Sequence, residues 1–162
     1  MPKPKHILFI SHDASKSGAP ILLLNLIRLI KNDGRYTFSI VVRKGGALDH
    51  EFATLGKTII LKPEHYLSGK NFLQKNVQRI QNRVMTWKAL LAARRADTIF
   101  SNTITNGRLL KLFSRLKKPV ISYIHELEYA AGMFPEDKAL TLQYTDLFLY
   151  PSLAVRHFLT GN

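Results

Sequence analysis

The feature that most constrains this chain is an alternation of short β-rich runs with longer helical stretches, repeated six times. The runs are 6–10, 37–42, 58–61, 98–101, 120–123 and 146–150. Several are nearly continuous hydrophobics, such as Ile7-Leu8-Phe9-Ile10 and Leu147-Phe148-Leu149-Tyr150. Strands of a parallel sheet, covered by helices on both faces, have this composition. Helices are predicted over 19–32, 47–55, 71–95, 106–117, 135–145 and 152–160. The alternation predicts a doubly wound, mostly parallel Rossmann-like α/β sheet of about six strands, with helices on both faces. The expected strand order is 3-2-1-4-5-6.

Local signals agree with that plan. Pro20 suits the first turn of a helix, where a missing N–H costs nothing. Asn32-Asp33-Gly34 is a helix stop and turn. Gly45-Gly46 closes the second strand, and Lys118-Pro119 ends a helix and launches the next strand. Ser152 is placed to cap the last helix. There is no repeat and no Pro/Gly-rich linker, so residues 1–162 read as one domain.

The composition is 46% hydrophobic, enough for a real core. The chain has no cysteine, which excludes a disulfide scaffold and a cysteine-held metal. The six histidines are scattered without ligand spacing, so no metal site is expected. The basic and then apolar N-terminus breaks too early, at Ser11-His12-Asp13, to serve as a signal peptide. Residues 21–30 are interrupted by Asn25 and Arg28 and fall short of the roughly 20 residues that cross a bilayer. A soluble, cytoplasmic protein is expected.

Charge is the unusual bulk property. The net charge is +13, and it is unevenly spread. Residues 1–124 carry 22 basic and 6 acidic side chains, whereas 125–162 carry 2 and 5. Such a field attracts an anion: a phosphate-bearing substrate, an acidic membrane or nucleic acid.

Three places carry candidate chemistry. The first is the loop after strand one, Ser11 to Pro20. Ligands of open α/β sheets gather at the carboxyl ends of strands, and the next helix offers free N–H groups and a positive dipole end there. Gly18 permits close backbone approach. The loop is neither G-x-G-x-x-G nor a Walker A sequence, which argues against NAD, FAD and ATP. Its plain reading is a strand-to-helix turn.

The second is His125-Glu126, just beyond the fifth strand. A histidine there can bond a sugar hydroxyl or move a proton, with Glu126 orienting it or binding an acceptor. The bland alternative is a histidine capping the sheet edge beside a solvated Glu126. Asn102, after the fourth strand, can bond substrate hydroxyls, although such residues more often satisfy loop backbone.

The third is the helix over 71–95. Residues 70–95 hold Lys70, Lys75, Arg79, Arg83, Lys88, Arg94 and Arg95 and no acid. Leu73, Val77, Ile80, Val84, Trp87 and Leu91 fall on one stripe, which is expected to pack on the sheet. The basic face, with Lys75, Arg79 and Arg83, is then free to rest on anionic lipid by electrostatic contact alone, because a stripe packed on protein has nothing left to insert. No RNA- or DNA-reading motif accompanies these cations.

Taken together, these segments resemble a known family. The opening Ile7 to Asp13 with Ser17-Gly18-Ala19-Pro20, the run Ala96 to Thr103, the run Lys118 to Glu126 and the run Leu149 to Val155 are similar, in order and spacing, to the N-terminal domain of a retaining GT-B glycosyltransferase of glycosyltransferase family 4. The similarity spans essentially all 162 residues. It implies transfer of a sugar from a nucleotide-sugar co-substrate, without further cofactor, to a glycan or lipid-linked acceptor. The N-terminal domain would bind the acceptor and close over a donor held mainly by a second domain of roughly 150–200 residues. On that resemblance Gly18 and Ala19 approach the donor phosphates and His125 contacts the transferred sugar. Ser17, Asn102 and Glu126 are then the candidates for acceptor or sugar contact. The common loop form has paired glycines followed by Ala-Glu; here Ser17 replaces the first glycine and Pro20 the Glu. The family's two glutamates, seven residues apart, belong to the second domain, so these 162 residues are expected to be an inactive piece of a longer enzyme.

Two other classes remain open. A non-catalytic Rossmann-like module of the receiver or flavodoxin type is one, although only Asp13 stands near the end of the first strand. A basic nucleic-acid-binding module is the other, motivated by charge alone.

Overall fold

The structure, a computed structural model, describes residues 4–63, 71–126 and 132–160. Among the described residues, six strands alternate with six helices. In chain order they are β1 (Lys5–Asp13), α1 (Gly18–Asp33), β2 (Tyr36–Lys44), α2 (Asp49–Leu55), β3 (Lys57–Lys62), α3 (Phe72–Arg95), β4 (Thr98–Ser101), α4 (Gly107–Phe113), β5 (Val120–Tyr123), α5 (Pro135–Gln143), β6 (Leu147–Leu149) and α6 (Leu153–Thr160). Every strand pairing is parallel and the order is β3-β2-β1-β4-β5-β6, as the alternation predicts.

The central strands are buried on both faces because their side chains alternate between two cores. Leu8 and Ile10 of β1 join Val41, Ile59, Ile99 and Val120 on the face covered by α3 and α4. Phe9 joins Ile40, Val42 and Phe100 on the face covered by α1 and α2. The register sets Phe9 opposite both Ile40 and Phe100.

Local signals decide several ends. Gly34 takes φ 70° and stops α1 in the left-handed conformation that glycine adopts at least cost. Ser152 accepts a hydrogen bond from the Val155 N–H at the start of α6. The stretch predicted as one helix over 106–117 is instead a one-turn 3₁₀ helix at Ile104–Asn106, then α4, then a second 3₁₀ turn at Ser114–Leu116. Lys117 ends it at φ 51°.

Two expectations fail for physical reasons. The stripe Val77, Ile80, Val84, Trp87 and Leu91 of α3 does not pack on the sheet; all five side chains are exposed. The fully buried positions of α3 are Gln78, Ala89, Ala92 and Ala93, with Met85 and Leu90 half-buried against the same core and Ala96 just beyond the helix. Small side chains let the helix lie close over the large residues of the sheet, so periodicity found an apolar face but not the packing face. The side chains of Leu73 and Lys75, and Lys70, lie outside the described residues. β6, read as a doubly buried strand, is an edge strand with Leu147 and Leu149 exposed.

Candidate functional site

The carboxyl ends of β1, β4 and β5 lie side by side, and each continues into a loop held by its own polar side chains. At the end of β1, the Ser11 hydroxyl donates to the Asp13 carbonyl at 2.7 Å. The Asp13 carboxylate accepts from the N–H and the hydroxyl of Ser15, at 3.2 and 3.0 Å. Ser15 and Ser17 share a hydroxyl contact of 2.9 Å. Ser17 then starts α1 in an extended conformation, but its side chain caps nothing, and no acid stands in the first turn. The opening N–H groups of this helix therefore receive no cap from the Ser17 side chain. Ser17 and Gly18 are exposed, and a Cβ placed on Gly18 would meet nothing within 4 Å.

Asn102, at the end of β4, is buried, and its side-chain amide donates to the Ala19 carbonyl at 2.6 Å. It grips the start of α1 instead of reaching open space. Glu126 is equally committed. Its carboxylate accepts from the Thr103 hydroxyl, from the Ile104 N–H at 3.3 Å through both oxygens, and from the His125 N–H at 3.2 Å. It ties the β5 loop to the β4 loop, so the picture of a solvated Glu126 does not hold: its side chain is 11% exposed.

A cleft of about 1040 Å³ opens beside these loops. His12 and His125 both line it, each next to a carboxylate. His12 Nε2 lies 3.4 Å from Asp13 Oδ2, and His125 Nε2 lies 3.7 Å from Glu126 Oε1. The Nδ1 atoms of both rings are buried with no hydrogen-bond partner among the described residues. Burial holds the His12 pKa below the ordinary histidine value, against the pull of Asp13 and Glu126; Arg43 and His125 push the same way as burial. A neutral imidazole results at pH 7, with one nitrogen to donate and one to accept.

Cations and carboxylates complete the wall. Arg43, from β2, donates to the Thr105 carbonyl and stands 3.9 Å from Asp137 Oδ2. Burial pushes its pKa down and Asp137 pushes it up. Asp137, itself buried, accepts from the Arg108 N–H at 2.8 Å. Lys44 and Lys62, register partners on β2 and β3, line the same cleft. Among the described residues, no three His, Cys, Asp or Glu side chains gather in a way that would hold a metal.

The predicted residues thus divide. His125 and Glu126 line the cleft; Ser17, Gly18, Ala19 and Asn102 form a separate group at the start of α1. Arg79 and Arg83 are exposed on α3. His12 and Arg43 were not singled out from the sequence. The signal for them existed: both stand at carboxyl ends of central strands, where ligands of such sheets collect.

Comparison with known proteins identifies the family. A family model described as glycosyl-transferase family 4 matches residues 3–152. The chain belongs to glycosyltransferase family 4. No curated protein matches it by sequence. Two of the solved structures that share the fold of this family 4 chain illustrate it. One is HepE of Anabaena in complex with UDP and glucose: TM-score 0.66, 14% identity, 96% of this chain and 40% of that one. The other is an α-glucosyltransferase in complex with UDP and a 13-mer DNA containing a HMU base: TM-score 0.60, 12% identity, 92% of this chain and 38% of that one. The chain therefore spans about two-fifths of the length of these structures, over their N-terminal portion.

Proposed function

We propose that this family 4 domain is the acceptor-side half of a two-domain retaining glycosyltransferase. It would take a sugar from a nucleotide-sugar donor, held mainly by a second domain, and pass it to a glycan or lipid-linked acceptor in the cytoplasm. The observation that carries the reading is one cleft, at the carboxyl ends of the strands, holding two histidines each beside a carboxylate.

Each residue has a role in this reading. His125 faces the transferred sugar and supplies a hydrogen bond or a proton path to it. Glu126 acts through His125 and through the β4 loop that it holds. Gly18 and Ala19 offer backbone N–H groups to the donor phosphates, and Asn102 keeps Ala19 in place for that task. Ser17 presents its hydroxyl at the mouth of the same turn. His12 and Arg43 stand on the acceptor side of the cleft. The nucleotide sugar is a co-substrate, and the chemistry as proposed uses no other cofactor.

The reading is tested in two steps. The isolated 162 residues should transfer no sugar from any nucleotide-sugar donor; turnover by this chain alone would overturn the two-domain assignment. In the complete enzyme, His125→Ala should lower kcat by about 10²- to 10⁴-fold. An unchanged kcat would remove His125 from the chemistry. Saturable affinity of the isolated chain for one oligosaccharide, resistant to salt, supports the acceptor role. Binding to DNA or RNA that falls steeply with salt points to the nucleic-acid reading instead.

A further inference from the structure

Among the described residues, the outward face of α3 has no partner. Val77, Ile80, Val84, Trp87 and Leu91 are exposed, from 45% at Leu91 to 65% at Trp87. Their spacing of 3, 4, 3 and 4, at about 100° per residue, makes one continuous stripe. Soluble surfaces carry single exposed apolar residues routinely, but a contiguous row of five large ones marks a contact face.

Charge surrounds the row. Helical geometry puts Arg83 and Arg94 on one flank and Lys88 and Arg95 on the other. No acid occurs between residues 70 and 95. The arrangement is an apolar centre with cationic rims on both sides, along a helix of 24 residues, or about 36 Å.

That pattern selects among partners. A second copy docked on the same stripe would bring cationic rims against cationic rims. Nucleic acid would meet the cations but would leave the apolar centre pressed against phosphates. An anionic lipid surface satisfies both parts: headgroups meet the rims while the stripe enters the boundary between headgroups and acyl chains. Among the described residues no helix is long and apolar enough to cross a membrane, so α3 would lie in the membrane plane.

We propose that α3 is an interfacial helix that docks this domain on anionic membrane and inserts Val77, Ile80, Val84, Trp87 and Leu91 to shallow depth. This extends the contact expected from charge alone, because the stripe is not occupied by the sheet. It stands independently of the transfer reaction.

Trp87 is the only tryptophan, so its emission reports on this face directly. The test adds vesicles of phosphatidylglycerol with phosphatidylcholine, or of phosphatidylcholine alone, to the 162-residue chain. The expected result is a blue shift with the anionic vesicles and none with the neutral ones. Arg83→Gln with Lys88→Gln should weaken partition by roughly 30-fold, taking about fivefold per cation near the surface. Ile80→Ser with Val84→Ser, which keeps the charge, should also weaken it. Both pairs are exposed, so circular dichroism should remain native. The proposal is overturned by anionic binding that leaves Trp87 emission unmoved. It is equally overturned by a blue shift that needs only higher protein concentration, or by a matching response to duplex DNA.

Discussion

The side-chain amide of Asn102 donates a 2.6 Å hydrogen bond to the carbonyl of Ala19, 83 residues away in sequence. The bond joins the end of β4 to the first turn of α1. Asn102 is 1% exposed, so water cannot replace it on either side. The first turn of α1 is therefore held by the residue that follows β4.

Removing that amide leaves a carbonyl without its partner. Asn102→Ala should destabilise the chain by about 1–3 kcal/mol, as urea unfolding would measure. Asn102→Asp should cost at least as much, because a carboxylate offers Ala19 no donor. A stability equal to wild type in both variants would mean that Ala19 is held by other contacts.

Glu126 presents the opposite chemistry, an acceptor surrounded by donors. The Thr103 hydroxyl and the Ile104 and His125 N–H groups all point at its carboxylate. Glu126→Gln inserts an NH₂ group among them and should cost about 1–3 kcal/mol. If Glu126 served only as a ligand contact, the urea midpoint would not move.

These two residues show how far the sequence was legible. Strand order followed from the alternation of apolar runs and helical segments, because parallel strands covered on both faces must be apolar throughout. His125 and Glu126 could be placed at a strand's carboxyl end for the same reason. Periodicity could not reveal that Asn102 and Glu126 spend their polar groups on Ala19 and on the β4 loop, since those partners are 83 and 22 residues away. Nor could it choose between the two faces of α3. The alanines at 89, 92 and 93 carry a weaker apolar signal than Trp87 or Ile80, yet their small size is what lets the helix approach the sheet. His12 and Arg43 were recoverable from strand-end position alone, but converge on one cleft only in three dimensions.

Two glycines at helix starts should respond oppositely to alanine. A Cβ on Gly107 would fall 2.1 Å from the Asp137 carbonyl oxygen and 2.8 Å from the Leu140 Cβ. Backbone cannot yield as a flexible side chain does, so α4 and α5 must separate. Gly107→Ala should destabilise by about 1–3 kcal/mol despite the better helix propensity of alanine. Gly18 has open space around its missing Cβ. Gly18→Ala should be neutral or stabilising by up to about 1 kcal/mol. Thermal unfolding of the two variants side by side separates a packing constraint from a conformational one; equal effects would show that α4 and α5 are not in close contact.

Stability should fall as the pH drops below the ordinary histidine range. The His12 pKa is held under 6.5, first by burial and then by Arg43 and His125, with Asp13 and Glu126 opposing. His6 is shifted the same way, again first by burial; Asp97 opposes and Arg95 assists. In both cases the unfolded chain takes up a proton at a pH where the folded chain does not. The unfolded state then binds more protons, so stability rises with pH across this window. The contribution is fully present above about 6.5. It is lost as the pH falls through the folded values. Urea midpoints at pH 7.5 and pH 5.0 would measure the drop. His12→Gln should show a smaller drop than wild type, and His6→Gln with His12→Gln a smaller one still. Lines of equal slope for all three proteins would mean that the fold does not hold either imidazole below its ordinary value.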